Sequence, residues 1–284
     1  MSDLSLIKEL REKTGAGFLD CKNALSENDN NIEQSIDSLR KKGLAKATKK
    51  SSREANEGAV GFYNNENISV ILKINSETDF SAKSDTFLDF LDSIGNIALS
   101  TNNTNLNLSD FLKVEHNGKT ISNILNEMIA KIGENLIIND LKVFDNKDVK
   151  VNYYIHNPYR QNIGKIVSAV FYSTKEENND VKNFSKNLCM HIAASKPEAI
   201  DIDMLPAELI ESEKKIQEEM IKDSGKPSNV IEKILDGKMK KFYSEVTLLN
   251  QSFVIDSDKT VNEAISDFNA SNSFILKNYI FLSL

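Results

Sequence analysis

Thiols and imidazoles are the side chains best suited to covalent chemistry, and this chain has few of them. The cysteines are Cys21 and Cys189, and the histidines are His116, His156 and His191. Cys189 and His191 lie two positions apart in a predicted helix, so they point to different faces and make no nucleophile–base pair. Cys21 is far along the sequence from the first histidine, so we expect it to be a core thiol.

The signatures of the common enzyme sites are absent from the sequence. It has no P-loop, no G-x-G-x-x-G, no H-E-x-x-H, no G-x-S-x-G and no C-x-x-C. We therefore predict no catalytic residues, no metal ligands, no cofactor and no enzyme activity. A Cys–His hydrolase stays as a minor alternative, which full activity after replacement of both cysteines by alanine would exclude.

The spacing of the apolar residues changes within one stretch of the sequence, and our interpretation centres on that stretch. Residues 68–74 alternate as a strand with one apolar face, and from Phe80 the apolar residues recur at helical spacing. Ser76 and Thr78 are both candidate helix N-caps, and Asp79 suits a first helical turn. Phe80 either begins the buried stripe of the helix, which the spacing favours, or protrudes with Asp79 from the turn into a partner.

Composition and charge narrow the class of protein. The chain has 284 residues, which indicates two or three domains, and its net charge of −7 argues against a general nucleic-acid binder. Two isolated cysteines fit a reducing compartment, and the sequence has neither a bilayer-length apolar run nor a signal peptide. We place the protein in the cytoplasm, away from membranes. The basic run within 41–57 lacks aromatic residues, which favours a solvated helix end and linker over an RNA contact.

The first 50 residues have the pattern of three short helices. Glycines 15 and 17 separate the first two helices, an Asx residue near 28–31 can cap the third, and Gly43 is a plausible end for it. Phe18 and Leu19 follow the glycine turn directly, so both cannot easily face inward. They are either an exposed contact pair or, for Phe18, a cover for the small core.

The rest of the chain alternates strands with helices. In the middle segment we predict a hairpin over 58–74, one helix over 79–100, a second over 120–131 and strands within 136–144. In the last segment we predict strands over 151–156 and 163–172 separated by a loop at 157–162, helices over 184–195, 206–222 and 229–242, a strand over 248–255, a helix over 260–269 and a strand over 273–282. Strands covered by helices on one side indicate an α+β fold.

Two of these helices form a predicted hairpin around a turn at 224–228. Ile216 and Met220 lie on its apolar stripe, which serves either as a dimer seam or only as the contact within the hairpin. His156, at a strand end beside a proline, suits a surface role.

Five blocks of sequence, in one order, resemble a known family. They are LREKTGAGFLDCKNAL at 10–25, INSETDFSAKSDTF at 74–87, KIGENL at 131–136, MHIAASKPEAI at 190–200 and SGKPSNVIEKILDGKMKKFYSEVTLLNQSFV at 224–254. Together they resemble the elongation factor Ts family, the guanine-nucleotide exchange factors of elongation factor Tu. The resemblance covers nearly the whole chain.

The resemblance implies a domain organisation. Residues 1–52 would form a three-helix ubiquitin-associated-like domain, and residues 53–149 a first α+β core subdomain with the Thr78-Asp79-Phe80 turn. Residues 150–284 would form a second, similar subdomain with a coiled-coil hairpin inserted at about 203–228.

The resemblance also implies a mechanism and a set of contacts. The turn of Asp79 and Phe80 would enter elongation factor Tu near its magnesium and nucleotide site and promote release of GDP and its exchange for GTP. The other contacts implied by similarity are Thr78, Arg11, Phe18, Leu19, Ile132, Gly133, His156, Val254 and Ile255. Paired complexes joined through the helical hairpin are a further expectation.

Two departures from the family pattern affect these expectations. Many members have aliphatic or methionine side chains where this chain has Phe18 and Leu19, which keeps the apolar character. Many also have a further C-terminal helix that contacts the partner, whereas this sequence ends at Leu284 after the last predicted strand. The alternative function is a binding module without exchange activity, such as a chaperone of a translation factor.

Overall fold

The computed structural model describes residues 4–222 and 227–284. The chain divides into two compact units, which are described separately. The first comprises Met1–Lys147, Asn157–Ile166 and Leu282–Leu284, and the second comprises Asp148–His156 and Val167–Phe281. Helices and strands both contribute to each unit, which confirms the predicted α+β class.

The first unit begins with three helices around a small core. They are α1 (Leu4–Thr14), α2 (Phe18–Glu27) and α3 (Ile32–Lys50). Asn31 caps α3 by accepting a hydrogen bond from the Gln34 N–H at 3.0 Å, as the Asx residues in this region predict. The core consists of Ile7, Leu10, Cys21, Ala24 and Leu25.

The prediction that Gly43 ends the third helix is wrong, because α3 continues to Lys50. A Cβ atom at Gly43 would lie 3.2 Å from the Cβ of Ala130, in a later helix that packs against α3. The glycine therefore permits a close helix–helix approach in the helix interior.

The sheet of the first unit is built on antiparallel strands. The elements that follow α3 are β1 (Glu57–Asn64), β2 (Ile68–Ser76), α4 (Asp79–Ala82), α5 (Asp85–Ser100), α6 (Leu108–Phe111), β3 (Glu115–His116), β4 (Lys119–Thr120), α7 (Ile121–Ile132) and β5 (Leu136–Asp145). β1 pairs with β2 from Glu57↔Ser76 to Asn64↔Ser69, which confirms the predicted hairpin. β2 pairs on its other side with β5, ending at Ser76↔Leu136.

The single helix predicted over 79–100 is instead two helices. α4 ends at Ala82, and α5 begins at Asp85 because the Ser84 hydroxyl accepts a hydrogen bond from the Phe87 N–H and caps a new helix. The buried face of α5, which includes Phe87, Leu91 and Ile94, packs in one core with the strands.

The second unit combines a strand layer, two core helices and a pair of long helices. Its elements are β6 (Lys150–Arg160), β7 (Ile163–Ser173), α8 (Asn179–Ser195), α9 (Ala207–Lys222), α10 (Ser228–Val246), β8 (Ser252–Phe253), β9 (Asp256–Thr260), α11 (Val261–Phe268) and β10 (Ile275–Ser283), with 3-10 turns at Ile202–Met204 and Leu248–Asn250. β7 pairs with β6 and with β10, and these three strands each contribute residues to both units. Stacked rings of the partly buried Phe184 and Phe268, with centroids 4.2 Å apart, pack against its core.

The two long helices α9 and α10 contact each other. The Lys238 ammonium donates a hydrogen bond to the Gln217 side chain at 2.8 Å, and Ile210, Leu235 and Met239 line a groove between the helices. Most of the turn predicted at 224–228 lies outside the described residues.

The loop predicted at 157–162 is mostly strand, because β6 continues to Arg160 and only residues 161–162 form the turn. Asn157 adopts a positive φ of 50° within the strand. The Arg160 guanidinium lies 2.8 Å from the Asp89 carboxylate, and the Asn162 amide donates to Asp92 at 2.9 Å. These bonds to α5 hold the turn within the first unit.

The strand predicted over 248–255 is also shorter than expected. The Leu248 and Leu249 N–H groups donate to the carbonyls of Ala199 and Ile200, which draws residues 248–250 into a 3-10 turn. Only Ser252–Phe253 is extended in a ladder.

Candidate functional site

Residues Thr78, Asp79 and Phe80 form a projection at the end of β2, which we call the tip. The Thr78 hydroxyl accepts a hydrogen bond from the Ser81 N–H at 3.2 Å and so caps α4. The Phe80 side chain is 86% exposed, so the interpretation that it begins the buried stripe is wrong. Aromatic side chains are enriched at protein interfaces, so an exposed ring on a projecting turn is a candidate protein contact.

Asp79 presents a carboxylate beside the exposed ring. Its Oδ2 lies 2.7 Å from the Lys83 Nζ, one helical turn later. The hydrogen bond from Lys83 lowers the pKa of the Asp79 carboxyl, which is therefore ionised at neutral pH. The tip offers a negative charge and an apolar ring side by side.

A turn of residues 132–135, between α7 and β5, is bonded to the tip. Gly133 ends α7 with a φ of 87°, the left-handed conformation that a helix C-cap favours. The Glu134 carboxylate accepts hydrogen bonds from the Thr78 N–H at 3.1 Å and from the Thr78 hydroxyl at 2.7 Å. Ile132 and Gly133, which were chosen only by resemblance, therefore lie in the turn that Glu134 bonds to the tip.

The three-helix bundle exposes an apolar pair at the start of α2. Phe18 is 43% exposed and Leu19 is 69% exposed, because Gly17 precedes the helix and only later positions face the core. The exposed Arg11 and Phe18 line one groove along α1, together with Leu4 and Ile7. An apolar groove with a cationic edge suits a protein partner.

In the second unit, Val254 and Ile255 form the exposed turn between β8 and β9. Their side chains are 52% and 50% exposed. Beneath them the buried His191 accepts a hydrogen bond from the Val254 N–H on Nδ1 at 3.2 Å, and its Nε2 lies 2.9 Å from the Gln251 Oε1. Nε2 therefore carries the proton and donates to Gln251.

Burial lowers the pKa of His191, so its imidazole is neutral at pH 7. Gln251 is held in turn, because its Nε2 donates to the carbonyls of Ser195 and Glu245. The turn of Val254 and Ile255 thus rests on a buried polar network.

His156 is exposed, but it lies inside β6 rather than at the predicted strand end, because the strand continues to Arg160. The Tyr154 hydroxyl lies 3.0 Å from the His156 Nδ1, and the Lys186 ammonium lies 5.4 Å from the centroid of the Tyr154 ring. These contacts orient the imidazole at the surface.

Neither thiol is arranged as a nucleophile. Both cysteines are buried, and burial raises the pKa of Cys21 and raises that of Cys189 to about 12. Cys189 donates to the Asn152 carbonyl at 3.3 Å. In residues 4–222 and 227–284, no three acidic, cysteine or histidine side chains gather as metal ligands would.

Two residues support the candidate surfaces in ways that the sequence did not predict. Glu134 lies within the KIGENL block, but nothing local in the sequence relates it to Thr78. His191 was considered only as a partner for Cys189, and its bond to Val254 joins residues 63 positions apart.

None of the described helices combines the length and the apolar character that crossing a membrane requires.

Comparison with known proteins identifies the family. The family model for elongation factor TS matches residues 77–282. The chain is 41% identical over 269 residues to an elongation factor Ts of Rhizobium etli, covering 94% of this chain and 87% of that protein.

Other relatives agree with this match. An elongation factor Ts of Allorhizobium ampelinum is 39% identical over 93% of this chain and 85% of its own length, and one of Ehrlichia canis is 39% identical over 93% and 91%. Their shared name places the chain among translation elongation factors, which act in protein biosynthesis. The chain belongs to the elongation factor Ts family.

Proposed function

We propose that this chain binds elongation factor Tu carrying GDP and promotes release of GDP and its exchange for GTP. The tip enters the partner near its magnesium and nucleotide site. The observation that carries the proposal is the exposed Phe80 ring, 86% accessible on a helix turn that is capped and hydrogen-bonded at its base.

Binding energy explains how a protein without covalent chemistry can release a nucleotide. Burying a phenyl ring in a partner contributes about 1.5–3 kcal/mol. If elongation factor Tu buries the ring only in its nucleotide-free conformation, binding of this chain weakens the affinity of elongation factor Tu for nucleotide and magnesium. Nucleotide and magnesium weaken its affinity for this chain by the same factor. Displacing a tightly held nucleotide requires several kcal/mol of differential binding, so Phe80 needs the help of a wider interface.

The remaining contacts supply that interface. We assign to it the groove of Arg11 and Phe18 with the neighbouring exposed Leu19, and the turn of Ile132 and Gly133. In the second unit we assign the exposed residues His156, Val254 and Ile255. Apolar side chains with polar neighbours are typical of such surfaces.

The family layout completes the proposal. It comprises a ubiquitin-associated-like bundle, two similar α+β subdomains divided near residues 52 and 150, and an inserted coiled-coil hairpin. The protein acts in the cytoplasm, with no cofactor, enzymatic step, membrane or direct contact with nucleic acid.

The test follows release of fluorescent GDP from elongation factor Tu. We expect wild type to accelerate release and Phe80→Ala to lower the maximal rate about tenfold or more, since burial of one ring is lost. Asp79→Ala should also slow exchange more than it weakens binding. A matched control is Phe242→Ala in α10, outside the residues assigned to the interface.

Two outcomes would contradict the proposal. Wild-type rates for both tip variants would show that the tip is wrongly assigned. Tight binding by wild type without faster release would favour the alternative, a non-exchanging binding module or a chaperone of a translation factor.

A further inference from the structure

One carboxylate joins the tip to a distant part of the chain. Glu134 accepts a hydrogen bond from the Thr78 N–H on Oε2 at 3.1 Å and a second from the Thr78 hydroxyl on Oε1 at 2.7 Å. Hydrogen bonds to an ionised acceptor are shorter and stronger than neutral ones. Thr78 is therefore held through its backbone and its side chain at once.

The carboxylate also decides what the Thr78 hydroxyl can do. An ionised glutamate only accepts, so the hydroxyl must donate its proton to Glu134 and keep a lone pair for another donor. That lone pair accepts from the Ser81 N–H at 3.2 Å, the bond that caps α4. Glu134 thus orients the cap of the helix that carries Asp79 and Phe80.

α4 depends on such external support. It has four residues, and helices this short do not keep their conformation by their own hydrogen bonds. The position of Phe80 therefore depends on the contacts at the ends of α4, and Thr78 caps its start.

Glu134 is itself held firmly. The N–H of the next residue, Asn135, donates to Glu77 Oε1 at 2.6 Å, and the Asn135 amide donates to the Arg53 carbonyl at 2.8 Å. Leu136 then pairs with Ser76 as β5 begins. The 132–135 turn and the base of the tip are thus joined at successive residues on both sides.

We propose that Glu134 is a positioning residue for nucleotide exchange. It holds Thr78, and through it the tip, in the conformation that enters the partner, and it touches neither nucleotide nor magnesium. The inference rests on the exchange function proposed above and adds a residue to that site.

The experiment is a double-mutant cycle in the full chain. Release of fluorescent GDP from elongation factor Tu is measured against the concentration of Glu134→Ala, of Thr78→Val and of the double variant. We expect each single change to lower the maximal rate about five- to tenfold, with the half-saturating concentration shifted about twofold or less. The loss in the double variant should be smaller than the product of the two single losses, because both changes remove the bond from the Thr78 hydroxyl and only Glu134→Ala also removes the bond from the Thr78 N–H.

Conservative variants and a control separate positioning from loss of folding. Thr78→Ser keeps the hydroxyl and should restore most of the rate, whereas Glu134→Gln keeps the shape but offers one acceptor oxygen and should be intermediate. Glu66→Ala removes an exposed glutamate at the turn between β1 and β2, the opposite end of β2 from the tip, and should exchange like wild type. Thermal unfolding of each variant identifies any that is not folded.

The contrary results distinguish failure of the role of Glu134 from failure of the exchange function. A wild-type rate for Glu134→Ala, with a slow Phe80→Ala in the same assay, overturns this inference and leaves the proposed function standing. Additive losses in the double variant would also overturn it, because Glu134 would then act independently of Thr78. No stimulation by wild type would instead refute the exchange function itself.

Discussion

Two phenylalanines seven positions apart have opposite environments, although the residue type is the same. Phe80 is 86% exposed, whereas Phe87 is fully buried in the core of the first unit. The Ser84 cap between them begins a new helix, so the two rings do not share one helical face. An exposed ring that its own fold does not use is available to a partner.

His191 supports a prediction about pH. Burial lowers its pKa, so the unfolded chain binds the proton more readily than the folded chain. The stability that the neutral imidazole contributes is present above the unfolded pKa of about 6.5 and is lost as pH falls through the lower, folded pKa. We expect the free energy of unfolding of wild type in urea to be smaller at pH 5.5 than at pH 7.5.

Replacement of the histidine should reduce this difference. His191→Gln keeps hydrogen-bonding groups but does not titrate, and one titrating group changes the free energy of unfolding by at most about 1.4 kcal/mol per pH unit. The exposed His116→Gln serves as the control and should keep the wild-type difference. Equal pH dependence of wild type and His191→Gln would show that other groups control acid stability.

At the scale of elements, close packing depends on a glycine in α5. A Cβ atom at Gly95 would overlap the ring of Tyr63 in β1. Tyr63 cannot easily move, because it is buried and its hydroxyl donates to the Leu91 carbonyl at 3.0 Å and lies 3.2 Å from Asp92 Oδ1. The strand and the helix therefore meet at a fixed separation.

Two glycine substitutions test this packing. We expect Gly95→Ala to lower the free energy of unfolding by about 1–3 kcal/mol, the usual cost of overpacking a core. Gly237→Ala, in the interior of α10, meets no atom within 4 Å and should raise stability by about 0.5–1 kcal/mol through helix propensity. Denaturation in urea measures both, and a neutral Gly95→Ala would show that Tyr63 can repack.

At the scale of the whole molecule, α9 presents an apolar stripe that α10 does not cover. Ile216 is 49% exposed and Met220 is 67% exposed, so the contact between α9 and α10 does not bury these residues. We expect this stripe to pair two complexes with elongation factor Tu, since two helices with exposed apolar stripes can bury them against each other.

Light scattering of the purified complex tests the pairing. Wild type should have the mass of two copies of each protein, and the double variant Ile216→Glu with Met220→Glu should have the mass of one of each. Glu218→Gln, a polar change on the same helix, should leave the mass unchanged. A wild-type complex of one copy each would exclude the pairing.

Much of the fold follows from local signals in the sequence. The period of two over 68–74 and the turn before it predict the hairpin of β1 and β2, and the structure confirms it. The Asx cap of α3 and the helix at 121–132 were predictable for the same reason. These features depend on residues a few positions apart, so a short stretch of sequence is enough to predict each of them.

Other features of the fold and of the candidate site depend on hydrogen bonds and ion pairs between residues far apart in the sequence. Glu134 meets Thr78 across 56 positions, and Arg160 bonds to acids of α5 that lie 68 to 75 positions earlier. Periodicity predicts which face of a helix or strand is apolar, but not which remote side chain will meet it. The family blocks, the acid–aromatic pair and most of the helices and strands can be identified from the order of residues alone. The exposure of Phe80 and the bond of Glu134 to the base of the tip emerge from the folded structure, because both depend on contacts between distant residues.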